Sequence, residues 1–194
     1  DIEQPERVGR NQIGAPARGF SLQQDGPLDM RMDKGQGLTA ADILNHSGVE
    51  ELETIFRDLG EERFARRIAR AVVSHLPVET TFQLKAIVEK AIPTWRKRES
   101  VTRIFQALRI AVNSAIESLK TALRDSIPLL KSGGRIVVLS YHSLEDRVVK
   151  HLFRELSKDG ILKVLTKKPV GAGPDEVNAN PRSKSAKLRA AEKI

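Results

Sequence analysis

Apolar residues along this chain recur at two different spacings, and the change between them divides it. From Thr39 onward they fall three and four apart. Ala40 to Asn45 and Val49 to Asp58 read as short helices, which Thr39 or Ser47 can cap through a side-chain oxygen. Gly60 stops the second. Glu61 to Ser74 repeats apolar positions at Phe64, Ile68, Ala71 and Val72, and Pro77 ends that run. Another helix is expected from Thr80 or Thr81 to Ala91, stopped by Pro93. Nothing from Asn45 to Ile92 alternates with period two, so this part reads as a small all-helical unit. Val101 to Leu130 carries one long stripe, including Ile104, Leu108, Val112, Ala115, Leu119 and Leu123, and predicts a long helix bent near Ser114.

The spacing changes at Gly133. The stretch GGRIVVLSYHSLEDR, Gly133 to Arg147, opens with a glycine turn and a continuous apolar run, Ile136 to Leu139. Such a run predicts a strand buried on both faces, as in a parallel sheet. It then turns polar at Ser140, Tyr141, His142 and Ser143. Ser143 can cap a helix from Leu144 to Leu156, with Glu145 and Asp146 in the first turn where negative charge suits the helix dipole. In open α/β sheets ligands sit at the carboxyl ends of strands, which makes the corner at Tyr141, His142 and Ser143 the best candidate site. Leu162 to Thr166 and Ala186 to Ile194 read as two further strands, with Val170 to Arg182 as the intervening loop. That pattern predicts a hairpin closing one edge of the sheet, and about half of an α/β sheet in all.

Composition narrows the classes. The 194 residues include 33 Lys and Arg against 25 Asp and Glu, a formal net charge of +8, which favours a polyanionic partner such as nucleic acid. Aromatic content of 4% argues against an extended base-stacking platform. The absence of cysteine excludes disulfides, thiolate metal sites and thiol nucleophiles. No apolar run is long enough to span a bilayer, so no membrane is expected. The four histidines, His46, His75, His142 and His151, have no metal-ligand spacing. GxGxxG after a strand, the Walker loop, HExxH and GxSxG are absent, and His142 with Glu145 and Asp146 lacks a recognisable nucleophile.

Several positions carry two readings. Arg18 to Asp33 is dense in turn residues, with a tight turn at Asp25-Gly26-Pro27; it is either a surface loop laced with ion pairs or a loop bordering a site. Arg63, Arg66, Arg67 and Arg70 make a solvated helix face or a contact for RNA phosphates. Trp95 to Arg98, WRKR, is a hinge or a contact for phosphate and base. Gln106, Arg109 and Asn113 share one helical face, and Asn113 is either a satisfied amide or one turned to a ligand. For Glu145, Asp146 and Arg147 the plainer role is a cap and ion-pair set holding the corner.

RGFSLQQDGPLDMRMD, GEERFARRIARAVV, FQALRIAVN, GGRIVVLSYHSLEDRVVK and NPRSKSAKLRAAEK follow one another in an order that closely resembles the ribosomal RNA small subunit methyltransferase H family, over about Asn11 to Ile194. The resemblance implies a Rossmann-like methyltransferase sheet interrupted by an inserted all-helical domain that helps bind RNA. On that reading 1–38 is a cofactor-domain remnant with a site-bordering loop, 39–98 the insertion, and 99–194 the carboxy-terminal half of the methyltransferase domain. It further implies S-adenosylmethionine as cofactor, methylation of the N4 amine of a cytosine in small-subunit ribosomal RNA, and the small ribosomal subunit or its RNA as partner. The family's glycine-rich strand–loop and its ribose-binding acid have no counterpart here, so an amino-terminally truncated copy is expected. A non-catalytic RNA-binding or assembly module is the alternative.

Carried onto this sequence, the family's cofactor contact falls on Gln12. Tyr141, where the family has phenylalanine, is expected to stack, and His142 and Ser143 to hydrogen-bond near the amine. Arg109 and Asn113 would line the cleft, Arg18, Asp25 and Arg31 would border it, and Arg182, Ser183 and Ser185 would hold RNA or the corner loop. A bacterial cytoplasm is expected over a mitochondrion, because the loop at 170–180 is short and no targeting segment is visible.

Overall fold

The structure, a computed structural model, describes residues 18–33, 35 and 37–194, with Arg182 described by its backbone alone. The chain divides into two compact units between Ser114 and Ala115.

The first unit is helical. Thr39 opens α1 (Ala40–His46) with a capping box, its hydroxyl accepting from the Asp42 amide while the Asp42 carboxylate accepts from the Thr39 amide. Ser47 is the carboxyl cap of α1, and Gly48 precedes α2 (Val49–Thr54), so the second helix has no side-chain cap. α2 runs on as a π-helical turn, Ile55–Leu59, ending at Gly60. There a β-carbon would meet the Phe56 carbonyl at 2.7 Å and the Arg103 carbonyl at 2.9 Å, so this close approach demands glycine. α3 (Ala65–Val73) buries Ala65, Ile68, Ala69 and Val72, and α4 (Thr81–Ala91) starts at Thr80 with a second capping box through Gln83. After a short 3-10 turn, Thr94–Arg96, comes α5 (Lys97–Val112). Leu44, Leu52, Phe56, Ile68, Leu84, Val88, Ile104 and Leu108 make the core of this unit.

The long helix expected to Leu130 breaks where a bend was placed: Asn113 caps α5, Ser114 takes a positive φ of 46°, and α6 (Ala115–Leu129) begins anew. The apolar stripe alone cannot register the break, because its spacing continues across it. α5 packs within the helical unit, and the two compact units meet between Ser114 and Ala115.

The second unit is mixed α/β. Gly133 adopts a φ of 77° and donates to the Lys193 carbonyl, setting the turn into β1 (Arg135–Ser140). α7 (Ser143–Lys158) follows, then β2 (Leu162–Val164), β3 (Val170–Gly171), α8 (Pro174–Ala179), a 3-10 turn at Pro181–Ser185, and β4 (Lys187–Lys193). The strand order is β1-β4-β2 with β3 also on β4, and every pairing is antiparallel.

Two expectations are corrected by this sheet. β1 is not buried on both faces in a parallel sheet: Ile136 and Val138 pack on a core with Leu123, Ile127, Val149, Leu152 and Phe153, while Val137 and Leu139 are 58% and 52% exposed. A four-residue apolar run cannot distinguish two covered faces from one covered face and one apolar open face. The terminal strand does not close an edge either. β4 enters the middle, between β1 and β2, and 170–182 holds a short strand and helix besides loop.

Candidate functional site

The corner after β1 is built by three acidic and imidazole side chains in one helical turn. His142, in extended conformation, is the amino cap of α7; Ser143 is the first helical residue and not the cap. The His142 ring faces the third helical residue twice. Nδ1 accepts from the Glu145 amide at a long 3.4 Å, and Nε2 lies 2.9 Å from Glu145 Oε1. An Nδ1 that accepts leaves the proton on Nε2, so the neutral ring donates to Glu145 and carries its lone pair on Nδ1. Glu145 Oε2 in turn accepts from the Tyr141 amide at 3.2 Å. Burial opposes ionisation of Glu145, but hydrogen bonds from His142 and from the amides of Tyr141 and His142 outweigh it, helped by the His142 charge whenever the ring holds a second proton, and the carboxyl lies below its ordinary value. Tyr141 itself is 57% exposed at the end of β1.

One position further on, Asp146 fixes the turn to the sheet. Its carboxylate takes Arg189 in a bidentate grip, Nε to Oδ1 at 2.6 Å and Nη2 to Oδ2 at 3.1 Å, with both residues buried. Its amide donates to the His142 carbonyl. The Arg189 hydrogen bonds above all, against burial, keep the Asp146 carboxyl below the usual aspartate range. Arg189 was not singled out by sequence reasoning. The signal was present: in β4 it shares the inward register with Ala191, and a charge on a buried strand face requires a partner.

Of the expected substrate contacts, Ser183 is buried and its hydroxyl donates to the Asn180 carbonyl at 2.8 Å, which ties down the 3-10 turn. Ser185 is exposed in the same turn, to which the backbone of Arg182 also belongs. Ser143 is half-buried at the start of α7.

In the first unit, Arg18, Arg31, Arg109 and Asn113 come together as one knot. The Arg18 guanidinium donates to the Arg31 and Met32 carbonyls, each at 2.7 Å. Asn113 Oδ1 accepts from the Met32 amide at 2.7 Å, and Nδ2 donates to the Met30 and Arg109 carbonyls. Asn113 is therefore a satisfied amide that clamps the loop. The clamp holds buried Met30 at a φ of 58°, a conformation that costs a side-chain-bearing residue energy unless its surroundings enforce it. Arg31 pairs with Asp29 at 2.7 Å. Arg109 lines a groove of about 150 Å³ with Phe20, Leu22, Met30, Phe105 and Gln106. Asp25 stands apart from this knot. Its Oδ1 accepts from the amides of Gly26 and Phe82, latching the loop onto the start of α4. Gln12 lies outside the described residues. Among the described residues no group of His, Asp or Glu is arranged to hold a metal ion, and no helix is long and apolar enough to cross a membrane.

A mixed α/β unit with an imidazole–carboxylate corner at a strand's carboxyl end, joined to a helical unit, is a design a methylase can use. The chain belongs to the MraW methylase family, which it matches over residues 8–194. It is similar to proteins called ribosomal RNA small subunit methyltransferase H: 52% identical to that of a Cyanothece species, 46% to that of Halothermothrix orenii and 51% to that of Kosmotoga olearia. Each alignment covers 96% of this chain, but 63%, 67% and 64% of those relatives respectively.

Proposed function

We propose that this chain is the acceptor-side portion of an S-adenosylmethionine-dependent methyltransferase acting on the N4 amine of a cytosine in small-subunit ribosomal RNA. β1-β4-β2 would be one end of a Rossmann-like sheet, and the helical unit an insertion in it. The observation that carries the reading is the His142–Glu145 pair with the exposed Tyr141 ring at the end of β1.

The amine's lone pair is delocalised into the pyrimidine ring, so it attacks poorly until a hydrogen-bond acceptor localises it. His142 Nδ1 supplies such an acceptor. Its one bond, to the Glu145 amide, is long, while Glu145 fixes the opposite nitrogen and stabilises the ring once it takes a proton. Tyr141 offers a flat surface on which an unstacked base can rest. The proton lost by the amine passes to Nδ1. The methyl donor itself finds no cradle among the described residues: the turn from β1 to α7 has no glycine, and the Tyr141 amide that could face an anion is taken by Glu145. No step here is therefore assigned to residues binding the donor.

Transfer of labelled methyl from S-adenosylmethionine to small ribosomal subunits, with the product read as N4-methylcytidine, tests the reading. His142→Ala should lower turnover at least about a hundredfold, the contribution usual for a positioned base, while the far-ultraviolet spectrum is kept. Undiminished transfer would remove His142 from the reaction. RNA binding without cofactor binding or methyl transfer by the wild type would favour a non-catalytic module.

A further inference from the structure

α7, β2 and β4 enclose a cavity of about 230 Å³ floored by Phe153 and Val164 and walled by Lys150, Arg154, Lys167 and Arg189. Arg189 is paired with Asp146, and Lys150 feels the same carboxylate at longer range, but among the described residues Lys150, Arg154 and Lys167 make no close ion pair of their own. Asp146, the acid one helical turn before Lys150, is already committed to Arg189. Lys150 and Arg154 stand four residues apart on α7, a like-charge spacing that works against the helix. The cavity wall at Thr166 is rigid, since its hydroxyl accepts from the Ala190 amide at 2.9 Å and its own amide donates to the Ala190 carbonyl. Thus an apolar floor, three cations without a close ion pair and a fixed wall converge on one concavity.

We propose that this cavity is a subsite for the phosphate and ribose of a single nucleotide unit, which rests on the reading that the chain engages RNA. Lys150, Arg154 and Lys167 meet the phosphate oxygens, and the sugar lies against Val164, above buried Phe153. The size supports one such unit: it is below the roughly 300–1,000 Å³ of pockets that take whole small molecules or cofactors. The plainer role for these side chains, covering Phe153 and Val164 with their aliphatic stems, needs the stems and not the charges. The two roles therefore separate under substitution by glutamine.

The test measures binding of a labelled single-stranded oligoribonucleotide to the 194-residue chain over a range of salt. Lys150→Gln with Lys167→Gln is compared with a control that removes two charges elsewhere, Lys85→Gln with Lys131→Gln. Both should fold and melt like the wild type. The cavity pair should bind at least tenfold more weakly, with a salt slope shallower by about 1.4, since each lost phosphate contact on a single strand contributes about 0.7. Equal losses in cavity and control pairs would overturn the subsite. Amide resonances of Val164 and Thr166 then identify the source of the phosphate. Shifts with the oligonucleotide alone assign it to the RNA backbone, shifts with cytidine monophosphate as well assign a separate nucleotide, and no shift with either overturns the proposal. Methyl transfer that still depends on His142 while the cavity pair binds normally would refute the subsite and leave the proposed function standing. A wild-type chain that binds no oligonucleotide would refute both.

Discussion

Replacing Asp146 by asparagine keeps the shape of the side chain and removes its charge, which isolates what the grip on Arg189 contributes. Asp146 and Arg189 are 8% and 5% exposed, so neither is well screened by solvent. Removing one member of such a pair leaves the other charge buried without a counterion, a change that costs about 3–5 kcal/mol. Asparagine can still accept one hydrogen bond from Arg189, which places the expected loss near the lower end, about 3 kcal/mol. For a unit of about 80 residues, each kcal/mol moves the midpoint by roughly 4–8 °C. Calorimetry should thus show the transition of the carboxy-terminal unit falling by about 12–24 °C, with that of the helical unit unmoved.

The pH dependence has a definite sign. Asp146 is held below its unfolded value, so its stabilisation is complete above about pH 3.9 and is lost as pH falls through the lower folded value. Asp146→Asn should lack that portion of the acid sensitivity. Replacing both partners, Asp146→Leu with Arg189→Met, should recover most of the loss, because no buried charge is then left alone. A midpoint shift under about 3 °C for Asp146→Asn, or a double variant no better than the single, would refute the claim that this pair holds the corner.

Asn113→Ala removes three hydrogen bonds to backbone, so chemical denaturation should show a loss of about 2–4 kcal/mol, and the Met32 amide should exchange faster. Gly60→Ala forces a methyl against two carbonyls at 2.7 and 2.9 Å; overpacking of this kind costs about 1–3 kcal/mol, visible as a lower midpoint for the helical unit. Trp95, the sole tryptophan, is 72% exposed with the Arg96 guanidinium 4.5 Å from its ring centre. Trp95→Ala should change stability by no more than about 0.5 kcal/mol, as expected for a surface substitution. In the wild type its emission should be that of a solvated indole.

The helices were legible because they carry their own punctuation. Thr39 and Thr80 each stand three residues before a side chain that can return the hydrogen bond, and both capping boxes form. The corner at Tyr141 to Ser143 was legible for the same reason, as a change from apolar run to polar turn to amphipathic helix. What local pattern could not carry was pairing. Whether Val137 and Leu139 are covered depends on what lies across the sheet, and whether β4 sits at an edge or in the middle depends on partners 47 to 57 residues away, as the bonds from Ser140 to Lys187 and Arg135 to Glu192 illustrate. Asn113 shows the same limit in a single side chain. Its helical position was plain, but its three partners include Met30 and Met32, more than 80 residues away.

Under the proposed function, the long-range bonds also explain how one sequence block could serve both fold and chemistry. His142 caps α7 through a long hydrogen bond, and an amino cap is worth about 1 kcal/mol. Asp146, four residues on, holds the same turn with a buried pair worth several times as much. The helix start therefore does not depend on the imidazole. His142 can give up its weak Nδ1 contact to an incoming donor while Glu145 keeps Nε2 in place and Arg189 keeps the turn against the sheet. A histidine that alone secured its helix could not release that nitrogen without loosening its own turn, so under the proposed function the division of the two tasks between His142 and Asp146 is what would free the ring to accept a proton.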